Sequence, residues 1–190
     1  MKKTSAISLL SLLMFCFMQT VTYSQLTGTK TIPGDYASIT AAILDLNTQG
    51  VGIGGVTFNV AAGYTETGVN VVLTCPVNPP SVSRPIIFQK SGAGVNPLLT
   101  AGVGVSTTTD GIWKLNGVTY VTINGIDLQE DAANVDATTQ MEWGYALVKQ
   151  SGTLACQFTT IKNCTVTLNK ANTASTSIYT GNHLATSLTA

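Results

Sequence analysis

Four carboxylates crowd one stretch of the chain: Asp127, Glu130, Asp131 and Asp136. Oxygen-rich loops can hold calcium, which takes roughly six to eight oxygen ligands. The spacing is not that of an EF-hand, and the glycine that motif needs at its sharp turn is missing. A solvated acidic loop is the preferred reading. Calcium at these four residues is the candidate cofactor, and no other is expected. Glu66 and Asp110 are lone carboxylates without an evident partner, and Arg84 is the only arginine. Catalysis by acid and base needs two or three such groups converging on one face. Asp110, Asp127, Glu130 and Arg84 gathered in one groove would therefore mark an enzyme. No catalytic residue is assigned from the sequence. Trp113, Tyr120 and Trp143 are candidates for stacking on sugar rings, although Trp113 alternates like a core residue. Asn163-Cys164-Thr165 has the form of a glycosylation acceptor, but it falls on an expected strand bend and is set aside.

Cys75, Cys156 and Cys164 follow the leader described below, together with a single histidine, His183. An odd number of cysteines does not close a disulfide framework, and the spacing fits no zinc pattern. Cys164 reads as a small buried hydrophobe on a strand. A Cys156–Cys164 bridge is open as an alternative in an oxidising compartment.

These groups sit on a chain that begins with an export signal. Lys2 and Lys3 precede an apolar run from Ile7 to Met18, which is too short to span a bilayer. Thr22 and Ser24 suit the small positions of a cleavage site, so residues 1–24 are expected to be removed and the mature chain to start at Gln25. Cys16 follows Phe15, which is not the small residue a lipid-bearing cysteine requires. No later run is long enough to be a transmembrane helix. Losing Lys2 and Lys3 leaves seven of the nine basic residues against nine acidic ones, a net charge of −2. Binding to a nucleic-acid backbone needs clustered Lys and Arg, so that partner class is excluded. Charged residues are 9% of the chain, well below the roughly 25% of an ordinary soluble domain. The expected location is extracellular or on the outer cell surface.

Ile32-Pro33-Gly34-Asp35 signals a turn. From Tyr36 to Asn47 the apolar residues Ile39, Ala42, Ile43 and Leu46 recur at helical spacing, with Asp35 placed as N-cap and Gly50 just past the end. The rest reads as short β runs separated by Gly, Asn, Pro and Asp: Val56–Val60, Val71–Leu73, Pro85–Gln89, Gly111–Leu115, Tyr120–Leu128, Tyr145–Val148, Phe158–Leu168 and Ser177–Tyr179. Tyr120–Leu128 aligns with Phe158–Val166 at an offset of 38. Gly125 and Asn163 occupy the same place in both copies, and both residue types tolerate a left-handed backbone. Each copy therefore reads as strand, one-residue bend, strand, which is how a parallel β-helix turns its corner. Glu130–Gly144 would be a loop projecting from one coil. A β-sandwich is the alternative, for which Asn116-Gly117 between Leu115 and Val118 supplies one hairpin signal.

Several segments resemble the exported right-handed parallel β-helix proteins of pectin-lyase-like fold. They are Asp35-Tyr36-Ala37-Ser38-Ile39-Thr40-Ala41-Ala42-Ile43, Val56-Thr57-Phe58-Asn59-Val60, Gly63-Tyr64-Thr65-Glu66, Pro85-Ile86-Ile87-Phe88, Tyr120-Val121-Thr122-Ile123-Asn124-Gly125 and Ile161-Lys162-Asn163-Cys164. The resemblance implies an all-β solenoid over residues 25–190 whose early α-helix caps its open end. It also implies a chain incomplete at its C-terminus, since relatives in bacteria with type IX secretion commonly run on to a sorting domain. A naturally short protein is the alternative. Function is less constrained, because one architecture serves pectin-acting enzymes, adhesins and surface proteins. The motifs of polysaccharide lyases and pectin methylesterases are not matched. The leading expectation is a secreted or cell-surface scaffold, adhesive or binding polysaccharide or surface glycan, and non-catalytic in this segment. The runner-up is the N-terminal part of a carbohydrate-active enzyme, a lyase or hydrolase, with its catalytic coils further on.

Overall fold

The computed structural model describes residues 24–187. The leader expected at residues 1–24, Cys16 included, lies outside the described residues except for Ser24. The described residues form one α-helix and thirteen strands: β1 (Leu26–Ile32), α1 (Ile39–Gln49), β2 (Val51–Ala61), β3 (Thr65–Val69), β4 (Val71–Leu73), β5 (Ile86–Ser91), β6 (Leu98–Ala101), β7 (Gly111–Asn116), β8 (Val121–Asn124), β9 (Asp127–Gln129), β10 (Trp143–Lys149), β11 (Thr160–Lys162), β12 (Val166–Thr167) and β13 (Thr176–Leu184). They make three sheets: β1-β2-β5-β8-β11, β3-β6-β9-β12 and β4-β7-β10-β13. Every strand pairing within them is parallel. The chain visits the first, second and third sheets in that order and then begins again one rung higher. This is a parallel β-helix, and it excludes the sandwich. Asn116-Gly117 turns the corner from β7 to β8 without forming a hairpin.

The offset-38 alignment is the true register. Thr160, Ile161 and Lys162 pair with Thr122, Ile123 and Asn124, and Val166 pairs with Leu128. Gly125 and Asn163 bend the two coils with φ of 70° and 56°. Because coils stack in register, inward side chains form columns. Phe58, Phe88, Ile123 and Ile161 make one column, and Trp113, Tyr145 and Ile178 make another. Phe58 and Phe88 stack at 4.5 Å, and Phe88 meets Trp113 edge-on at 5.0 Å. All three are fully buried, and burying each contributes on the order of 1.5–3 kcal/mol.

The helix closes one end of this core with Ile39, Ala42, Ile43 and Leu46. Its N-cap is Ser38, whose hydroxyl accepts from the Ala41 N–H at 3.0 Å. Asp35 is not the cap. It accepts instead from the Thr31 N–H and hydroxyl, which tightens the turn after β1. Ser38 prevails because it lies directly before the first helical residue, where a side-chain oxygen reaches the third N–H. Gly50 ends the helix as expected, with φ of 72°. Asn47 pins the helix to the third sheet. Its Nδ2 donates to the Val72 carbonyl at 2.8 Å, and its Oδ1 accepts from the Thr74 and Cys75 N–H groups, both at 2.9 Å.

Candidate functional site

The carboxylates singled out in the sequence are dispersed, and all but that of Asp136 accept hydrogen bonds from their surroundings. Glu66 occupies the column of Leu99, Leu128 and Val166, so it points inward on the rung beneath the helix. There it accepts from the Ile39 and Thr40 N–H groups at 2.8 and 3.1 Å and from the Thr40 hydroxyl. The helix N-terminus supplies the positive partial charge that a half-buried carboxylate requires. Asp127 accepts from Asn96 Nδ2 and the Thr165 N–H, which joins neighbouring coils. Glu130 is buried and accepts from the Met141 N–H and Asn134 Nδ2, so it closes the base of its own loop. Asp131 caps a short turn through the Ala133 N–H, and the Asp136 backbone pairs with Thr139. The four-acid calcium candidate thus does not assemble. Among the described residues, no three His, Cys, Asp or Glu side chains converge to hold a metal ion. The loop from Glu130 to Glu142 also projects less than expected, since Asn134 donates back to the Gly102 carbonyl.

Nor do Asp110, Asp127, Glu130 and Arg84 share a groove. Arg84 precedes β5 in the first sheet, Asp127 opens β9 in the second, and Asp110 precedes β7 in the third. No hydrogen bond or ion pair joins any two of them among the described residues. Among the described residues Cys75, Cys156 and Cys164 are free thiols, so Cys156 and Cys164 are not bridged. Cys164 is only half-buried and sits at the β11–β12 corner rather than within a strand. Cys75 is wholly buried, and desolvation pushes its thiol up to about 12.

A titratable cluster that sequence reasoning missed lies where the second sheet turns into the third. Asp110 Oδ2 accepts from the Val105 and Ser106 N–H groups. One coil on, Glu142 Oε2 accepts from the Asp110 N–H at 3.0 Å, and Oε1 accepts from Asn172 Nδ2 at 3.3 Å. One carboxylate thereby ties three successive coils. Both acids are buried. Desolvation raises the Glu142 carboxyl above its usual range, and desolvation also lowers the nearby Lys114 ammonium. No fixed offset marks these residues, because the loops at this corner differ in length from coil to coil.

The aromatic candidates part company. Trp113 is core, and its indole nitrogen is buried without a partner. Trp143 packs on the outer face of the third sheet, stacked on Tyr179 at 4.4 Å beside buried His183. Tyr179 and His183 Nε2 are hydrogen-bonded at 2.7 Å. Tyr120 is different. It stands at the corner between the third and first sheets, at φ of 53°, and Phe158 occupies the same place one coil on, at φ of 52°. Their rings stack at 4.5 Å. Pro85 is the preceding member of this row, because Ile86 pairs with Val121. Gly55 is in register below Pro85, where an added Cβ would lie 2.6 Å from the proline Cδ. The result is a stripe of rings along the solenoid axis. Phe158 is 66% exposed at its last position. The offset of 38 already paired Tyr120 with Phe158, so this stripe was within reach of the sequence.

A depression of about 380 Å³ lies near the same coil, lined by Leu147, Val148, Ala155, Cys156, Thr180 and Asn182. It contains no charged side chain. Comparison with known proteins returns no matching family model, no matching curated protein and no matching solved structure.

Proposed function

We propose that the chain is an exported β-helix scaffold of the cell surface, binding glycan and adhering through it without transforming it. One observation carries this reading. The carboxylates that acid–base chemistry would need are committed to backbone N–H groups: Glu66 to Ile39, Asp110 to Val105, Asp127 to Thr165, Glu130 to Met141 and Glu142 to Asp110. A general acid or base must instead reach the substrate's proton. The stripe of Pro85, Tyr120 and Phe158 supplies uncharged contact. Phe158 presents the exposed ring on which a sugar could stack through its C–H face. The leader sequence supports delivery to the exterior.

The test combines binding and turnover on the same samples. The purified chain is run through gels containing polygalacturonate, xylan or soluble cellulose. The same mixtures are assayed for unsaturated uronic ends and for new reducing ends. Retardation by at least one polysaccharide without new ends is expected, with Phe158→Ala abolishing the retardation while leaving the circular dichroism unchanged. Release of either kind of end would establish the enzyme reading in its place. Absence of retardation on every polymer would overturn glycan binding.

A further inference from the structure

We propose that the glycan is an uncharged, extended β-1,4-linked strand lying along the solenoid axis on the outer face of the first sheet, one sugar to a coil. This rests on the glycan-binding reading above and names the ligand and its path. Strand residues alternate between core and solvent, so the register that stacks Phe58, Phe88 and Ile123 inside also stacks their neighbours outside. Thr57, Ile87, Thr122 and Thr160 form one outward column. Asn59, Gln89, Asn124 and Lys162 form the next. In each coil the ring stripe of Pro85, Tyr120 and Phe158 lies two residues before the threonine column and borders the same face at its corner. Rings, hydroxyls and amides thus run side by side along the axis.

These polar groups suit a sugar, and much of their bonding capacity is unused. The hydroxyls of Thr57, Thr122 and Thr160 bond to nothing among the described residues. Gln89 Nε2 donates to Asn59 Oδ1 at 2.9 Å, and Asn163 Nδ2 donates to Asn124 Oδ1 at 2.8 Å. These links hold the amides in line and leave Gln89 Oε1 and the Asn59 and Asn124 Nδ2 groups for a ligand. Groups fixed in advance lose less freedom on binding. Charge selects among glycans. Lys162 is the only charged member of the two columns. A polyuronate would lay a carboxylate on each coil with no cation opposite most of them, and an unpaired charge is hard to take from water. Direction follows from the repeat. Neighbouring strands lie about 4.8 Å apart, close to the length of one sugar in an extended β-1,4 strand, so successive sugars meet successive coils alike. Across the axis the face is narrow, since β8 turns only Thr122 and Asn124 outward.

Affinity gels and calorimetry on the purified chain test this. Xylan or hydroxyethyl cellulose should retard it more than polygalacturonate does. In calorimetry with xylo- and cello-oligosaccharides, affinity should climb through the tetrasaccharide. Thr122→Glu and Thr160→Glu should each weaken binding about tenfold or more, since either puts an unpaired charge under the strand. Thr160 is exposed, so its variant reports even if Thr122→Glu misfolds. Thr100→Glu, on the second sheet, should leave binding unchanged. Equal or stronger retardation by polygalacturonate would overturn the choice of an uncharged glycan. Affinity that stops rising at the disaccharide would overturn the axial path, and binding unmoved by both Thr122→Glu and Thr160→Glu would overturn the face. In each of these cases glycan binding itself stands. No retardation by any polymer removes both readings together.

Discussion

Replacing Asn47 with alanine should loosen the helix from the coils it closes, by an amount the hydrogen bonds set. The side chain serves a carbonyl at Val72, two N–H groups at Thr74 and Cys75, and the Thr74 hydroxyl. Cys75 is fully buried, so its N–H has no water to turn to. Leaving such a donor unsatisfied costs about 1–3 kcal/mol. The half-buried Thr74 and Val72 groups recover part of their loss by hydration and add about 1 kcal/mol together. The expected loss is therefore about 2–4 kcal/mol. For a chain of this size, that corresponds to a fall in Tm of roughly 4–16 °C. Thr48→Ala is the control on the same helix, since it removes only a hydroxyl bond to the Leu44 carbonyl, and it should cost under about 0.5 kcal/mol. Urea unfolding followed by circular dichroism and by tryptophan fluorescence measures both. A loss below about 1 kcal/mol for Asn47→Ala would refute the reasoning, because the helix would then be held by its apolar face alone.

Two further perturbations probe the coils themselves. Gly55→Ala would need a Cβ 2.6 Å from Pro85 Cδ at a backbone φ of 76°, so a loss above about 2 kcal/mol is expected in the same urea experiment; a neutral result would contradict the packing at this corner. Glu142 has its folded-state pKa raised by desolvation, so its contribution is fully present below the ordinary carboxylate pKa and is lost as pH rises through the raised value. The stability difference between Glu142→Gln and the wild type should therefore move in favour of glutamine as pH rises from acid to neutral, and a pH-independent difference would count against it.

Much of the architecture could be read from residue order. The match of Tyr120–Leu128 to Phe158–Val166 located both strands of two coils and their register, because Gly125 and Asn163 impose the same bend on each. The run Val71–Leu73 is a strand with those bounds, although it is short, since its branched residues fit a pleated buried surface. β6 escaped notice because Leu98–Ala101 is brief and follows Asn96-Pro97, which reads as turn. Glu66 looked solitary because two of its partners are backbone N–H groups of a helix, at Ile39 and Thr40, that leave no mark in side-chain spacing. Glu142 and Asp110 escaped for another reason. Proximity in a solenoid joins residues one coil apart, and that distance is readable only where successive loops have equal length. The same rule explains why Tyr120 and Phe158 could be aligned before their stacking was known.

The corner between the second and third sheets has a consequence of its own. Asn70 alone separates β3 from β4, whereas the loop from Glu130 to Glu142 separates β9 from β10, yet β4, β7 and β10 remain in continuous register. Segment length at this corner is thus decoupled from the ladder that carries the stability. Mutation can lengthen, shorten or exchange these loops without renegotiating the core, because the strands on either side keep their pairing. The corner from the third sheet to the first varies as well, spanning residues 74–85, 117–120 and 150–159 in successive coils, whereas the corner from the first sheet to the second stays short, so novelty in this molecule should accumulate along two lines parallel to its axis.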